Sequence, residues 1–144
     1  MNTEYKSFSK LLHLTSRALR MAIDRRLKYL GLSQASWVAV AAIAGAQSPL
    51  SQSELAQILG VEGATIVSMV DRLVKLDLVQ RIPTAQDRRK KLLVVTVAGK
   101  ALYEKVRMEA DAIGKEILEN VAEQDMQVAM QVLTKIYAAT ESLA

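Results

Sequence analysis

Cysteine is absent from this 144-residue chain, which excludes disulfides, thiol redox switching and cysteine-ligated zinc. A single histidine, His13, cannot build a histidine-rich metal site. Two prolines and six glycines leave little of the turn punctuation that a many-stranded β fold needs. Aromatic residues make up only 4%. The longest apolar stretch, Trp37 to Ala46, falls far short of the ~20 residues that span a bilayer. The first thirty residues carry Lys6, Lys10, Arg17, Arg20, Arg25, Arg26 and Lys28 with no uninterrupted apolar core. No signal peptide is expected, and the expected compartment is the cytoplasm. No nucleophile motif, phosphate loop or metal-spaced His or carboxylate set appears. This argues against an enzyme and leaves no cofactor expected.

What the chain does have is apolar content of 51% with 24% charged residues, enough to bury a core. The net charge of +4 is unevenly spread. Residues 1–50 hold seven Lys/Arg against two acids, residues 51–97 seven against five, and residues 98–144 five against eight. A basic front and an acidic tail suit a polyanion partner for one part only, although mixed charge also serves solubility alone.

Helical periodicity dominates. Phe8, Leu11, Leu12, Leu19, Ile23, Leu27 and Leu30 recur at steps of three and four, and Gly31 supplies a stop. Ser33 caps a second helix through Gly45 that is apolar nearly all round, so it belongs in the middle of the fold. Ser51-Gln52-Ser53-Glu54 forms a capping box, and the short helix it opens stops at Gly60. Another helix runs from about Gly63 to Leu76, with Ile66, Met69, Val70, Leu73 and Leu76 on one face. Leu78 to Ile82 then reads as a strand ended by Pro83, and Lys91 to Val97 as a second. Thr96 caps a long helix from Ala98 to about Val121, and Glu123 to Leu143 repeats the helical period.

Residues 51–76 fit a helix-turn-helix. Ala56 is small where the helices cross, Gly60 suits the turn, and Val61 is its apolar plug. A hairpin directly after such a pair makes a winged helix. Its loop concentrates Arg81, Arg88, Arg89, Lys90 and Lys91 against the single Asp87. Cations at a hairpin tip suit phosphates, and an arginine there can enter a narrow minor groove. The blander reading is a charged edge that blocks aggregation.

The wing PTAQDRRKKLLVVTVAGK carries an Asp-Arg-Arg element followed by a Thr-x-x-Gly helix start. With LAQILGVEGATIVSMVDRL it resembles the MarR (multiple-antibiotic-resistance regulator) family. The segment RALRMAIDRRLKYLGLSQASWV extends that resemblance to the SlyA-like branch. The resemblance implies a mainly α fold with a small β-hairpin wing, a winged helix-turn-helix joined to a terminal-helix dimerisation region. In those terms residues 1–32 and 123–144 are dimerisation helices, 33–97 the winged helix-turn-helix, and 98–122 a long linking helix. It implies a homodimer on palindromic double-stranded DNA, usually a repressor relieved by a small aromatic carboxylate or phenolic effector, with no membrane partner.

By resemblance, Arg88 is the minor-groove residue, Asp87 orients the wing, and Arg89 and Lys90 support it. Gly63, Ala64, Thr65, Ser68 and Arg72 would face the major groove. Helical spacing agrees, since Thr65, Ser68 and Arg72 share a face opposite Ile66, Val70 and Leu73. Ser51, Gln52 and Ser53 would hold phosphate through backbone and hydroxyl donors, or serve as ordinary caps. Arg17 and Trp37, with His13 one turn away, match positions that line an effector cavity, a guanidinium beside an indole suiting an aromatic carboxylate. The alternative is that Trp37 is simply core, that Arg17 pairs with an acid and that His13 is a surface histidine.

One departure stands out. Gly63, Ala64, Thr65 and Ser68 sit where relatives often carry Lys, Arg or Gln. These side chains reach thymine methyls and phosphates but make no bidentate contact to guanine. The competing function is a winged helix used as a protein-interaction module or a non-specific DNA binder. The concentration of wing cations favours DNA binding over a protein-interaction module.

Overall fold

The computed structural model describes residues 3–86 and 89–143. The chain divides into two compact units, Met1–Ala110 and Asp111–Ala144. Among the described residues the fold is mainly helical with one small antiparallel sheet.

The first unit begins with α1, Thr3–Arg26, and a 3₁₀ turn at Lys28–Leu30 closed by Gly31 at φ 69°. The expected single helix through Leu30 therefore breaks at Leu27. That side chain is buried in the core, and its N–H is shared between the carbonyls of Ile23 and Asp24. Ser33 caps α2, Gln34–Gly45, by accepting the Ser36 N–H. Trp37, Ala39, Val40 and Ile43 of α2 are buried, as its apolar circumference requires.

The capping box at Ser51 is complete. Ser51 Oγ accepts the Glu54 N–H at 3.1 Å, and Glu54 Oε1 accepts the Ser51 N–H at 3.2 Å. The Ser51 backbone N–H, with the Ser51 side chain and then Lys90 assisting, holds the Glu54 carboxyl below its ordinary value. A depressed pKa means that the box is intact at neutral pH and loses its contribution as the pH falls through that of the folded carboxyl. Helix α3, Gln52–Leu59, closes on Gly60 at φ 68°, and the Val61 N–H reaches the Ala56 carbonyl. Helix α4 runs Gly63–Lys75. Ile66, Val70 and Leu73 are buried and Met69 packs against them, whereas Leu76 lies past the last turn and is exposed.

Three strands follow the order β1-β3-β2, with β1 at Leu50–Ser51, β2 at Val79–Pro83 and β3 at Lys91–Val95. β1, which periodicity did not reveal, pairs Leu50 with Leu93. Pro83 is not the strand's terminator but its last residue, opposite Lys91. A proline fits there because β2 is an edge strand.

Helix α5, Val97–Ile117, starts on a third side-chain cap. Thr96 Oγ1 accepts the Gly99 N–H at 3.0 Å and donates to the Asp77 carbonyl at 2.6 Å. The Thr96 N–H bonds the Leu78 carbonyl. The Thr-x-x-Gly element thus seats the first turn of α5 on the start of β2. In the second unit, α6 spans Glu123–Glu141 and buries none of its side chains within the chain. No described helix is long and apolar enough to cross a membrane.

Candidate nucleic-acid interface

Helix α4 projects one polar face. Gly63, Ala64, Thr65, Ser68 and Arg72 are all exposed, opposite the buried Ile66, Val70 and Leu73. Val67 and Asp71 belong to the same exposed face. Sequence reasoning passed over both, because one is apolar and the other acidic. Their i, i+4 spacing from Gly63 and from each other was the available signal.

A cleft of about 420 Å³ separates α4 from the wing. Ser51, Gln52 and Ser53 border it from the start of α3, Val67 and Asp71 from α4, and Arg81, Arg89, Lys90 and Lys91 from the wing side. Recognition-helix residues and wing cations therefore share one surface. Arg89, Lys90 and Lys91 are exposed there. Asp87 and Arg88, the centre of the sequence-based assignment, lie outside the described residues.

Ser51 and Gln52, both predicted to hold phosphate, and the wing cation Arg81 have other employment. Ser51 is buried and its hydroxyl is engaged in the capping box, while Ser53 is exposed. Arg81, counted with the wing cations, turns back into the protein. Its Nε donates to Gln52 Oε1 at 2.7 Å and its terminal nitrogen to Asp71 Oδ1 at 2.6 Å.

The three residues assigned to an effector cavity differ in exposure. Trp37 is a core residue, 4% exposed, with its indole N–H donated to Asp24 Oδ1 at 2.9 Å. Arg17 and His13 are exposed on α1. A cleft of about 600 Å³ does lie between α1, α2 and the helix-turn-helix. Its lining includes the cation Arg20 with Val38, Val61 and Met69, while Arg17, Trp37 and His13 are not among its lining residues. No group of three or more His, Asp or Glu among the described residues could hold a metal ion.

A sequence profile of the MarR family matches residues 30–90, the span from the end of the 3₁₀ turn into the wing. The transcriptional regulator PA3341 has a solved structure that matches with a TM-score of 0.87 at 38% identity, covering 94% of this chain and 98% of that one. The chain belongs to the MarR family. Its family is one of transcriptional regulators rather than enzymes. The fold is also shared with Staphylococcus aureus MepR, solved as a DNA complex, at a TM-score of 0.76 and 22% identity over 92% and 97% of the two chains. Escherichia coli MarR in its reduced form gives 0.73 at 22% identity, over 89% and 94%. As a MarR-family winged helix, the chain has its helix-turn-helix in α3 and α4 and its wing in the β2–β3 hairpin.

Proposed function

We propose that this MarR-family protein is a homodimeric, sequence-specific DNA-binding regulator, a repressor of the SlyA-like branch acting at palindromic operators. The observation that carries the reading is the shared surface of α4 and the wing. Val67 and Asp71 of α4 line the cleft together with Arg89, Lys90 and Lys91, and the exposed Gly63, Ala64, Thr65, Ser68 and Arg72 belong to the same helix without bordering the cleft. In this reading α4 enters the major groove, the wing with Arg88 reaches the adjacent minor groove, and Ser53 with the start of α3 meets a phosphate.

The dimer follows from uncovered apolar faces. Leu11, Leu12, Leu14 and Leu19 of α1 are exposed, as are Met130, Val132, Leu133 and Ile136 of α6. Residues 1–32 and 123–144 are proposed to be covered by a second copy, with 33–97 as the DNA-binding portion and 98–122 as the link. A single chain leaving so much apolar surface in water is not expected to persist alone. Regulation by a small aromatic carboxylate or phenol is supported by the Arg20 cleft, whose lining combines one guanidinium with apolar side chains such as Val38, Val61 and Met69.

A titration against salt tests the electrostatic part. If each subunit neutralises about four or five phosphates, log K against log salt falls with a slope of roughly −7 to −9 for the dimer. A slope near zero in fluorescence anisotropy would remove DNA as the partner. The small side chains at the start of α4 set a second expectation. Base-pair swaps beneath the recognition helix should cost less affinity than changes that widen the minor groove beneath the wing. A footprinting series with the reverse order contradicts this division of labour.

A further inference from the structure

Arg81 sits at the middle of β2, paired across the hairpin with the buried Leu93. Its side chain is 23% exposed and spans two helices at once. Nε meets Gln52 Oε1 on the first residue of α3, and the terminal nitrogen meets Asp71 Oδ1 on the outer face of α4. The planar guanidinium suits this task because its donors point in fixed, divergent directions, so two acceptors on separate elements are held in one geometry. A lysine ammonium imposes no such plane.

We infer that Arg81 is a positioning residue that locks the wing to the recognition helix through Asp71 and to the start of α3 through Gln52, so that both DNA readers are presented as one rigid unit. The inference rests on the DNA-binding reading above and assigns Arg81 no phosphate of its own. β2 is an edge strand, and its hairpin would otherwise be ordered on DNA at an entropic cost drawn from affinity. With Arg81 engaged, that ordering is complete before binding. The same contact explains an acid on the DNA-facing helix. Asp71 would repel phosphates if unpaired, but here it anchors the guanidinium at 2.6 Å.

The test uses the full-length protein and a duplex that the wild type selects. Arg81→Gln should bind it roughly tenfold or more weakly, as expected when a preorganised site is loosened. Its log K against log salt slope should stay at the wild-type value. A phosphate contact would instead make the slope shallower by about 1.8 in the dimer, about 0.9 from each subunit, and that result overturns the inference. Unchanged affinity overturns it as well.

Asp71→Ala supplies a reading of opposite sign and serves if the first variant fails to fold. A surface acid that merely repels DNA gives tighter binding when removed. The positioning role predicts weaker binding, with Arg81→Gln/Asp71→Ala no weaker than Arg81→Gln alone. Tighter binding by Asp71→Ala, or strict additivity, contradicts the inference while leaving the DNA-binding reading intact. A wild type that binds no duplex takes both down.

Discussion

Gly99→Ala is expected to destabilise the protein by about 3 kcal/mol or more, at the upper end of overpacking costs. A Cβ at this position would lie 2.1 Å from the Leu78 carbonyl oxygen and 3.1 Å from Val95 Cβ. The carbonyl has no room to retreat, because it also accepts the Thr96 N–H. Either the first turn of α5 lifts off β2 and breaks the Thr96 cap, or β2 shifts against β3. For a chain of this size the loss corresponds to a melting-point drop of roughly 6–12 °C, measured at fixed protein concentration because the proposed dimer would be coupled to folding. Gly114→Ala in the same helix is the control. A Cβ there meets nothing within 4 Å in the chain, so the helix gains about 0.5–1 kcal/mol. Equal melting points for the two variants would refute the role given to Gly99.

The largest expected effect on DNA belongs to Arg88→Ala. In the proposed dimer the variant would remove one groove contact from each subunit, and a good direct contact is worth roughly 1–3 kcal/mol. Two losses per dimer lower operator affinity by roughly 2–6 kcal/mol, at least about thirtyfold. The loss should fall on the selected operator more than on random duplex, because a residue that reads a groove contributes to specificity as well as charge. Lys91→Ala makes the comparison informative, since loss of a phosphate contact weakens both duplexes alike. Equal losses on the two duplexes with Arg88→Ala would demote it from reader to counter-charge. Retained affinity would remove it from the interface.

The sequence was most legible where a contact is local. Ser33, the Ser51–Glu54 box, Gly60 and Thr96 act within a few residues of themselves, so their residue types mark the helix ends wherever the chain goes afterwards. The faces of α4 were legible for the same reason, since a 3.6-residue period assigns Ile66, Val70 and Leu73 to the core without knowledge of their neighbours. Contacts between distant segments were not legible. β1 is two residues long and exists only because β3, some forty residues later, accepts it. Arg81 counts as one more wing cation in any tally of charge, and only the folded chain brings Gln52 and Asp71 to it. Trp37 shows the limit of reading by position alone. An indole beside a basic helix suited either a ligand pocket or the core, and its N–H partner, Asp24, lies on a helix the spacing could not orient.

The central claim is that the dimer recognises a DNA sequence. In-vitro selection from a random duplex library at physiological salt tests it most directly. The account predicts an enriched palindrome whose half-sites lie about one helical turn apart, matching two winged helices related by a two-fold axis. Salt-sensitive binding without enrichment would contradict sequence specificity and leave a non-specific DNA binder. No binding at all would contradict the DNA reading itself and point to a winged helix that engages protein.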